Sequence, residues 1–132
     1  MQQPDNPAPM SILITGASGF IGSFIVEEAL RQGFETWAAV RKSSSREYLQ
    51  DSRIHFIELD LSSEDTVRSQ LSGHTFDYVV HAAGATKCLH HDDFLKVNHQ
   101  GTVNLVNAIL KLQMPMRRFV YLSSLSVYGA IH

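Results

Sequence analysis

Three glycines at steps of three, in Thr15-Gly16-Ala17-Ser18-Gly19-Phe20-Ile21-Gly22, follow directly on the apolar run Ser11-Ile12-Leu13-Ile14. This spacing suits a strand that turns sharply into a helix. Glycine bends the backbone at little steric cost, lets it approach a ligand closely and packs the helix tightly on the strand. The opening of the helix then aims unbonded N–H groups and the positive end of its dipole beyond the strand, which favours a diphosphate. Thr15, Gly16, Ser18, Gly19, Phe20, Ile21 and Gly22 are therefore candidate binding residues, and a dinucleotide is the ligand class that suits them. The plainer alternative is an ordinary strand-to-helix turn. The context favours the dinucleotide, because Phe20, Ile21, Phe24, Ile25, Ala29 and Leu30 lay an apolar stripe at helical spacing that Gly33 ends.

A second chemical signal closes the next β-prone run, Glu35-Thr36-Trp37-Ala38-Ala39-Val40. At this place an NAD site normally offers Asp or Glu to the ribose hydroxyls, whereas this chain carries Arg41 and Lys42, followed by Ser43 to Ser45. A guanidinium pairs with a 2′-phosphate through charge-assisted hydrogen bonds, and the serine hydroxyls add donors. The expected cofactor is NADP, with NAD the alternative. The competing view treats these residues as solvated loop cations.

The elements that must position these groups alternate along the chain. A short helix is expected over Arg46 to Gln50 and a third strand over Ile54 to Glu58. Ser62 or Ser63 then caps a helix with Val67 and Leu71 one turn apart. Asp77 to Ala82 reads as a fourth strand buried on both faces. A long helix is expected from Asp92 to Gln113, with Val103, Val106, Ile109 and Leu110 on one face and Pro115 beyond its end, and Arg118 to Ser123 is the fifth strand. Strands separated by helices need crossovers, so the fold class is α/β, a doubly wound parallel sheet in the order 3-2-1-4-5. Ligands of such a sheet sit beyond the carboxyl ends of its strands, at the reversal between strands 1 and 4.

Composition bounds the remaining classes. At 132 residues one domain is expected, with a flexible lead-in over residues 1–10, which hold three of the four prolines, and a folded unit over 11–132. Eleven Lys and Arg against thirteen Asp and Glu give a net charge of −2, which offers no footprint for nucleic acid. No run is long and apolar enough to span a membrane, and the N-terminus lacks the order of a secretion signal, so a cytoplasmic location is expected. The lone Cys88 suits a reducing compartment. His90, His91 and His99 show no zinc-ligand spacing, so no metal site is expected.

Five motifs in order, Thr15-Gly16-x-x-Gly19-x-x-Gly22, Asp60-Leu61, His81-Ala82-Ala83-Gly84, Asn98-x-x-Gly101-Thr102-x-Asn104 and Ser123-Ser124-x-Ser126-Val127-Tyr128-Gly129, resemble the extended short-chain dehydrogenase/reductase family. Its members include NAD-dependent epimerases, dehydratases and dihydroflavonol-type reductases. The resemblance covers residues 11 to 129 and implies a Rossmann fold. It implies that the glycines lie at the pyrophosphate, Asp60 and Leu61 at the adenine, and Ala82, Ala83 and Gly84 along the middle of the cofactor. Asn98 is then a structural or cofactor-side polar group, and Leu122 and Ser123 border the cofactor. Ser124 matches the family's catalytic serine, whose hydroxyl hydrogen-bonds the substrate oxygen as hydride moves. His81 is expected to be buried and hydrogen-bonded rather than catalytic.

The family's Tyr and Lys four residues apart, which put phenol and ammonium on one helix face for acid–base work, are missing. Four residues beyond Tyr48, Tyr78, Tyr121 and Tyr128 stand Ser52, Ala82, Leu125 and His132. The expectation is a fold truncated after strand 5, lacking the acid–base helix and the substrate region. Such a chain binds cofactor, turns over little, and self-associates through the edge of strand 5. Its parent moves hydride between nicotinamide and a carbonyl or hydroxyl carbon of a small-molecule substrate. The alternative is a non-catalytic dinucleotide-binding sensor or interaction module, which needs no Tyr and Lys.

Overall fold

The computed structural model describes residues 9–82 and 91–122, the side chains of 91–98 excepted. Its elements are β1 (Ser11–Thr15), α1 (Phe20–Arg31), β2 (Glu35–Val40), β3 (His55–Glu58), α2 (Glu64–Leu71), β4 (Tyr78–His81), α3 (His91–Leu112) and β5 (Arg118–Tyr121). The strands form one parallel sheet in the order β3-β2-β1-β4-β5, as the alternation of elements requires. Successive side chains of a strand point to opposite faces, and this splits the interior in two. Leu13, Ala39, Ile57 and Val79 face α2 and α3, where they meet Val67, Leu71, Leu105, Ala108 and Ile109. Ile12, Ile14, Ala38 and Val40 face α1 and pack on Val26, Ala29 and Leu30.

Three expectations are corrected. The buried face of α1 is Gly22, Val26, Ala29 and Leu30, whereas Phe20, Ile21 and Phe24 of the expected stripe are exposed. Phe20 and Phe24 instead meet each other edge to face at 4.9 Å on the outer side. No helix forms over Arg46 to Gln50, because so short a segment gains too few hydrogen bonds to offset the cost of helix nucleation; beside it Arg41 N–H donates to Ser44 Oγ and Glu47 N–H to Ser45 Oγ. A single turn, Leu49 N–H to the Arg46 carbonyl, remains, with Leu49 buried as its anchor. Strand β4 is fully covered on one face only. Val79 and His81 are buried, while Tyr78 and Val80 on the α1 side are half-buried.

The helix ends follow local chemistry. Ser63 caps α2 by accepting the Thr66 N–H, and Glu64 and Asp65 complement its dipole. Helices α1 and α3 both end with a left-handed residue, Gly33 at φ 89° and Gln113 at φ 53°. The next N–H, of Phe34 or Met114, bonds five residues back to the carbonyl of Ala29 or Ile109. No helix among the described residues is long and apolar enough to cross a membrane.

Candidate functional site

The carboxyl ends of β1 and β4 meet where the strand order reverses, and the glycine turn lies there. Its three glycines have different reasons. Gly16 takes φ 68°, a left-handed conformation that a side chain disfavours. Gly22 has no room, since a Cβ there would stand 2.0 Å from the Gly16 carbonyl oxygen. Gly19 differs from both. Its backbone is extended (φ −80°, ψ 173°), and among the described residues a Cβ would meet only the Gly16 oxygen, at 3.4 Å. Nothing among the described residues demands glycine at position 19, and the exposed position without a Cβ forms a cradle on the outside.

That cradle lies at the opening of α1, where no side chain caps the helix and no acid stands in the first turn. Phe20 and Ile21 are exposed, and the helix opening there presents N–H groups without an intrahelical partner and positive dipole to a group held over Gly19, which fits an anion. Ser18 is half-buried beside it. Thr15 Oγ1 faces inward, where it accepts the Ala82 N–H at 3.1 Å and meets His81 Nδ1 at 2.7 Å.

Beyond β2, Arg41 and Lys42 are exposed. The Arg41 N–H donates to Ser44 Oγ at 2.9 Å and the Ser44 N–H returns to the Arg41 carbonyl at 3.0 Å, so a tight turn presents both cations. Arg46 lies over the Phe56 ring at 4.4 Å. Asp60 accepts the Ser62 hydroxyl at 2.6 Å and the Ser62 N–H at 3.0 Å. These bonds, with the charge of Arg41 nearby, hold its carboxyl below the usual range. Its carboxylate thus shapes the loop into α2, and Arg41 and Asp60 come together at the carboxyl edge of the sheet.

Helix α3 grips this loop. Buried Asn104 donates to the Leu61 carbonyl at 2.7 Å and accepts from Gln100 at 2.9 Å, and Leu61 packs beside Gly101, where a Cβ would stand in ordinary contact at 3.5 Å. Farther along, Asn107 and Lys111 both bond Glu64, and these contacts draw the Glu64 carboxyl down, Lys111 most strongly. The sequence offers Thr102 and Asn104 only as parts of a motif. Their partners, 21 and 43 residues away, are what reveal their use.

His81 is 1% exposed, and burial pushes its imidazole down to about 4. Nδ1 meets Thr15 and Nε2 meets Thr102 Oγ1 at 2.9 Å, the buried, hydrogen-bonded state expected of it. Ala82 is half-buried beside the turn, and Leu122 donates its N–H to the His81 carbonyl at 3.0 Å. Asn98 lies in the backbone of α3, its side chain outside the described residues. Ala83, Gly84, Cys88, His90, Ser123, Ser124 and Tyr128 also lie outside them.

Comparison with known proteins places this geometry. The family model for the NAD dependent epimerase/dehydratase family matches residues 12–132. The chain is 32% identical over 124 residues to the decarboxylating sterol-4-alpha-carboxylate 3-dehydrogenase of Candida albicans, covering 89% of this chain and 35% of that protein. It is 31% identical to cinnamoyl-CoA reductase 1 of Oryza sativa subsp. japonica, covering 97% and 37%. The solved UDP-Glc/GlcNAc 4-epimerase of Campylobacter jejuni superposes with a TM-score of 0.76 at 26% identity, covering 91% of this chain and 39% of that one. The Bordetella bronchiseptica enzyme WbmG, solved in complex with NAD, gives 0.74 at 27% identity, covering 97% and 41%. The chain thus spans little more than a third of the length of these curated relatives. With the reversed sheet, the glycine turn and the match over 12–132 in agreement, the chain belongs to the NAD dependent epimerase/dehydratase family.

Proposed function

We propose that residues 11–132 form the dinucleotide-holding portion of an oxidoreductase, epimerase or dehydratase. Its parent transfers hydride between nicotinamide and a carbonyl or hydroxyl carbon of a small molecule. The observation that carries this reading is the cradle at Gly19, a glycine that no contact among the described residues requires, set over an uncapped helix opening. In this assignment the N–H groups of Phe20 and Ile21 at the helix opening hold the diphosphate over Gly19, whose own N–H is taken up by the Gly16 carbonyl, and Arg41 and Lys42 hold the adenosine ribose end. The Asp60-Leu61 loop walls the adenine. Ala82, Ala83, Gly84, Asn98, Leu122 and Ser123 border the rest of the cofactor, and Ser124 orients the substrate oxygen. When bound, the nicotinamide supplies the hydride acceptor or donor. The two exposed cations favour NADP over NAD, because a 2′-phosphate adds charge they can pair with.

Calorimetric titration with each dinucleotide tests the assignment. NADP should bind more tightly than NAD, and binding of neither would refute the site. The purified chain should bind cofactor yet turn over little, since no Tyr in it has Lys four residues on. Among the described residues β5 pairs only with β4 and exposes Tyr121, with Leu122 just beyond, and this edge is the proposed surface of self-association. Sedimentation showing a monomer at high concentration would remove that part.

A further inference from the structure

Where β1, β4, β5 and α3 converge, a continuous polar chain runs through an otherwise apolar interior. Ala82 N–H donates to Thr15 Oγ1, Thr15 Oγ1 meets His81 Nδ1, and His81 Nε2 meets Thr102 Oγ1 on α3. The ring also stacks on Tyr121 at 5.4 Å, and Phe119 lies 6.3 Å away. An apolar side chain would fill this position without the desolvation that a buried imidazole must offset through hydrogen bonds. A neutral imidazole offers one donor and one acceptor, and each of its two nitrogens has a threonine hydroxyl within hydrogen-bond distance. The ends of the chain are what matter. Thr15 immediately precedes Gly16, and Ala82 opens the segment after β4, so both walls of the crevice are referred to one helix.

We propose that His81 and Thr102 are a positioning pair, which fixes the rotamer of Thr15 and with it the spacing of the glycine turn from Ala82. The inference rests on the dinucleotide reading above. His81 touches no ligand in this account and acts through Thr15.

The test uses Thr102→Val, which keeps shape and removes the hydroxyl, and Thr102→Ser, which restores it. Dissociation constants for NADP and NAD are measured by calorimetry, with the urea midpoint followed alongside. Thr102→Val is expected to weaken binding about fivefold, which at 1.4 kcal/mol per tenfold is about 1 kcal/mol, and Thr102→Ser to recover it. Equal affinity of Thr102→Val and wild type overturns the proposal, as does a Ser variant that binds no better than Val. A wild type that binds neither dinucleotide instead refutes the dinucleotide reading itself. Wild-type NMR supplies a second readout if the Val variant folds poorly. Adding NADP should shift the His81 ring signals and slow exchange of the Ala82 amide, and unchanged signals with bound ligand overturn the proposal.

Discussion

Replacing Gly19 and Gly22 separately by alanine divides the glycine turn into a binding part and a folding part. At Gly22 the new Cβ would lie 2.0 Å from the Gly16 oxygen and 2.7 Å from its carbonyl carbon, so α1 must retreat by about 1.4 Å to reach ordinary contact at 3.4 Å. Both obstacles are backbone, which cannot rotate away. Overpacking of this kind costs about 3 kcal/mol, which for a domain of this size lowers the melting temperature by about 10 °C. At Gly19 two small effects nearly cancel. Alanine adopts φ −80°, ψ 173° without strain and stiffens the unfolded chain, a gain of about 0.4–1 kcal/mol. As an N-cap it is worse than glycine by a similar amount. Gly19→Ala should therefore melt within a few degrees of wild type, yet bind NADP at least about tenfold more weakly, because its methyl group fills the cradle. Scanning calorimetry and titration of the two variants read both quantities. Undiminished affinity in Gly19→Ala, or an undiminished melting temperature in Gly22→Ala, refutes the reasoning.

Four further outcomes follow. Because the folded-state pKa of His81 lies at about 4 against 6.5, the unfolded chain takes up the proton first. Stability should fall by up to about 3 kcal/mol as pH drops from 6.5 to 4, and His81→Asn should flatten the denaturation midpoints between pH 6.5 and 4.5. Asn104→Ala leaves the Leu61 carbonyl without its donor and should cost about 1–3 kcal/mol by urea denaturation, whereas a loss under 0.5 kcal/mol argues against the grip of α3. Arg41→Ala should lower the ratio of NADP to NAD affinity about tenfold, and an unchanged ratio assigns Arg41 to solvent. Gln113→Gly should raise stability by about 1 kcal/mol, since it relieves a left-handed residue at the end of α3, and unchanged thermal unfolding contradicts this.

The strands and their order were legible because hydrophobic period and crossover geometry act locally and topologically. Ser11 to Thr15 and Tyr78 to His81 read directly from their apolar runs. The outward side of α1 was not legible, since Phe20, Ile21 and Phe24 are as apolar as its buried face, and the close approach of Gly22 to the turn at Gly16 and Ala17 goes with the rotation that buries Val26, Ala29 and Leu30. The stretch from Arg46 to Gln50 differs for another reason: it closes a single turn, Leu49 N–H to the Arg46 carbonyl, and is too short to offset the cost of nucleating a helix. Gly19 could be named from spacing, yet its difference from Gly16 and Gly22 appears only when the space around each is measured. The partnership of Thr15 with His81 joins residues 66 apart, a separation at which no local pattern speaks.

Thr102 and Asn104 stand two residues apart on one helix, where a turn of about 100° per residue sends their side chains to nearly opposite flanks. One flank reaches the end of β4 and the other the loop after β3. Helix α3 therefore works as a rigid spacer between the two, and the separation of those points is inherited from the covalent girth of a helix rather than negotiated by loops. Under the proposed function, a ligand at the carboxyl edge of the sheet meets two points whose spacing the helix has already set, so less of its binding energy goes into ordering the host.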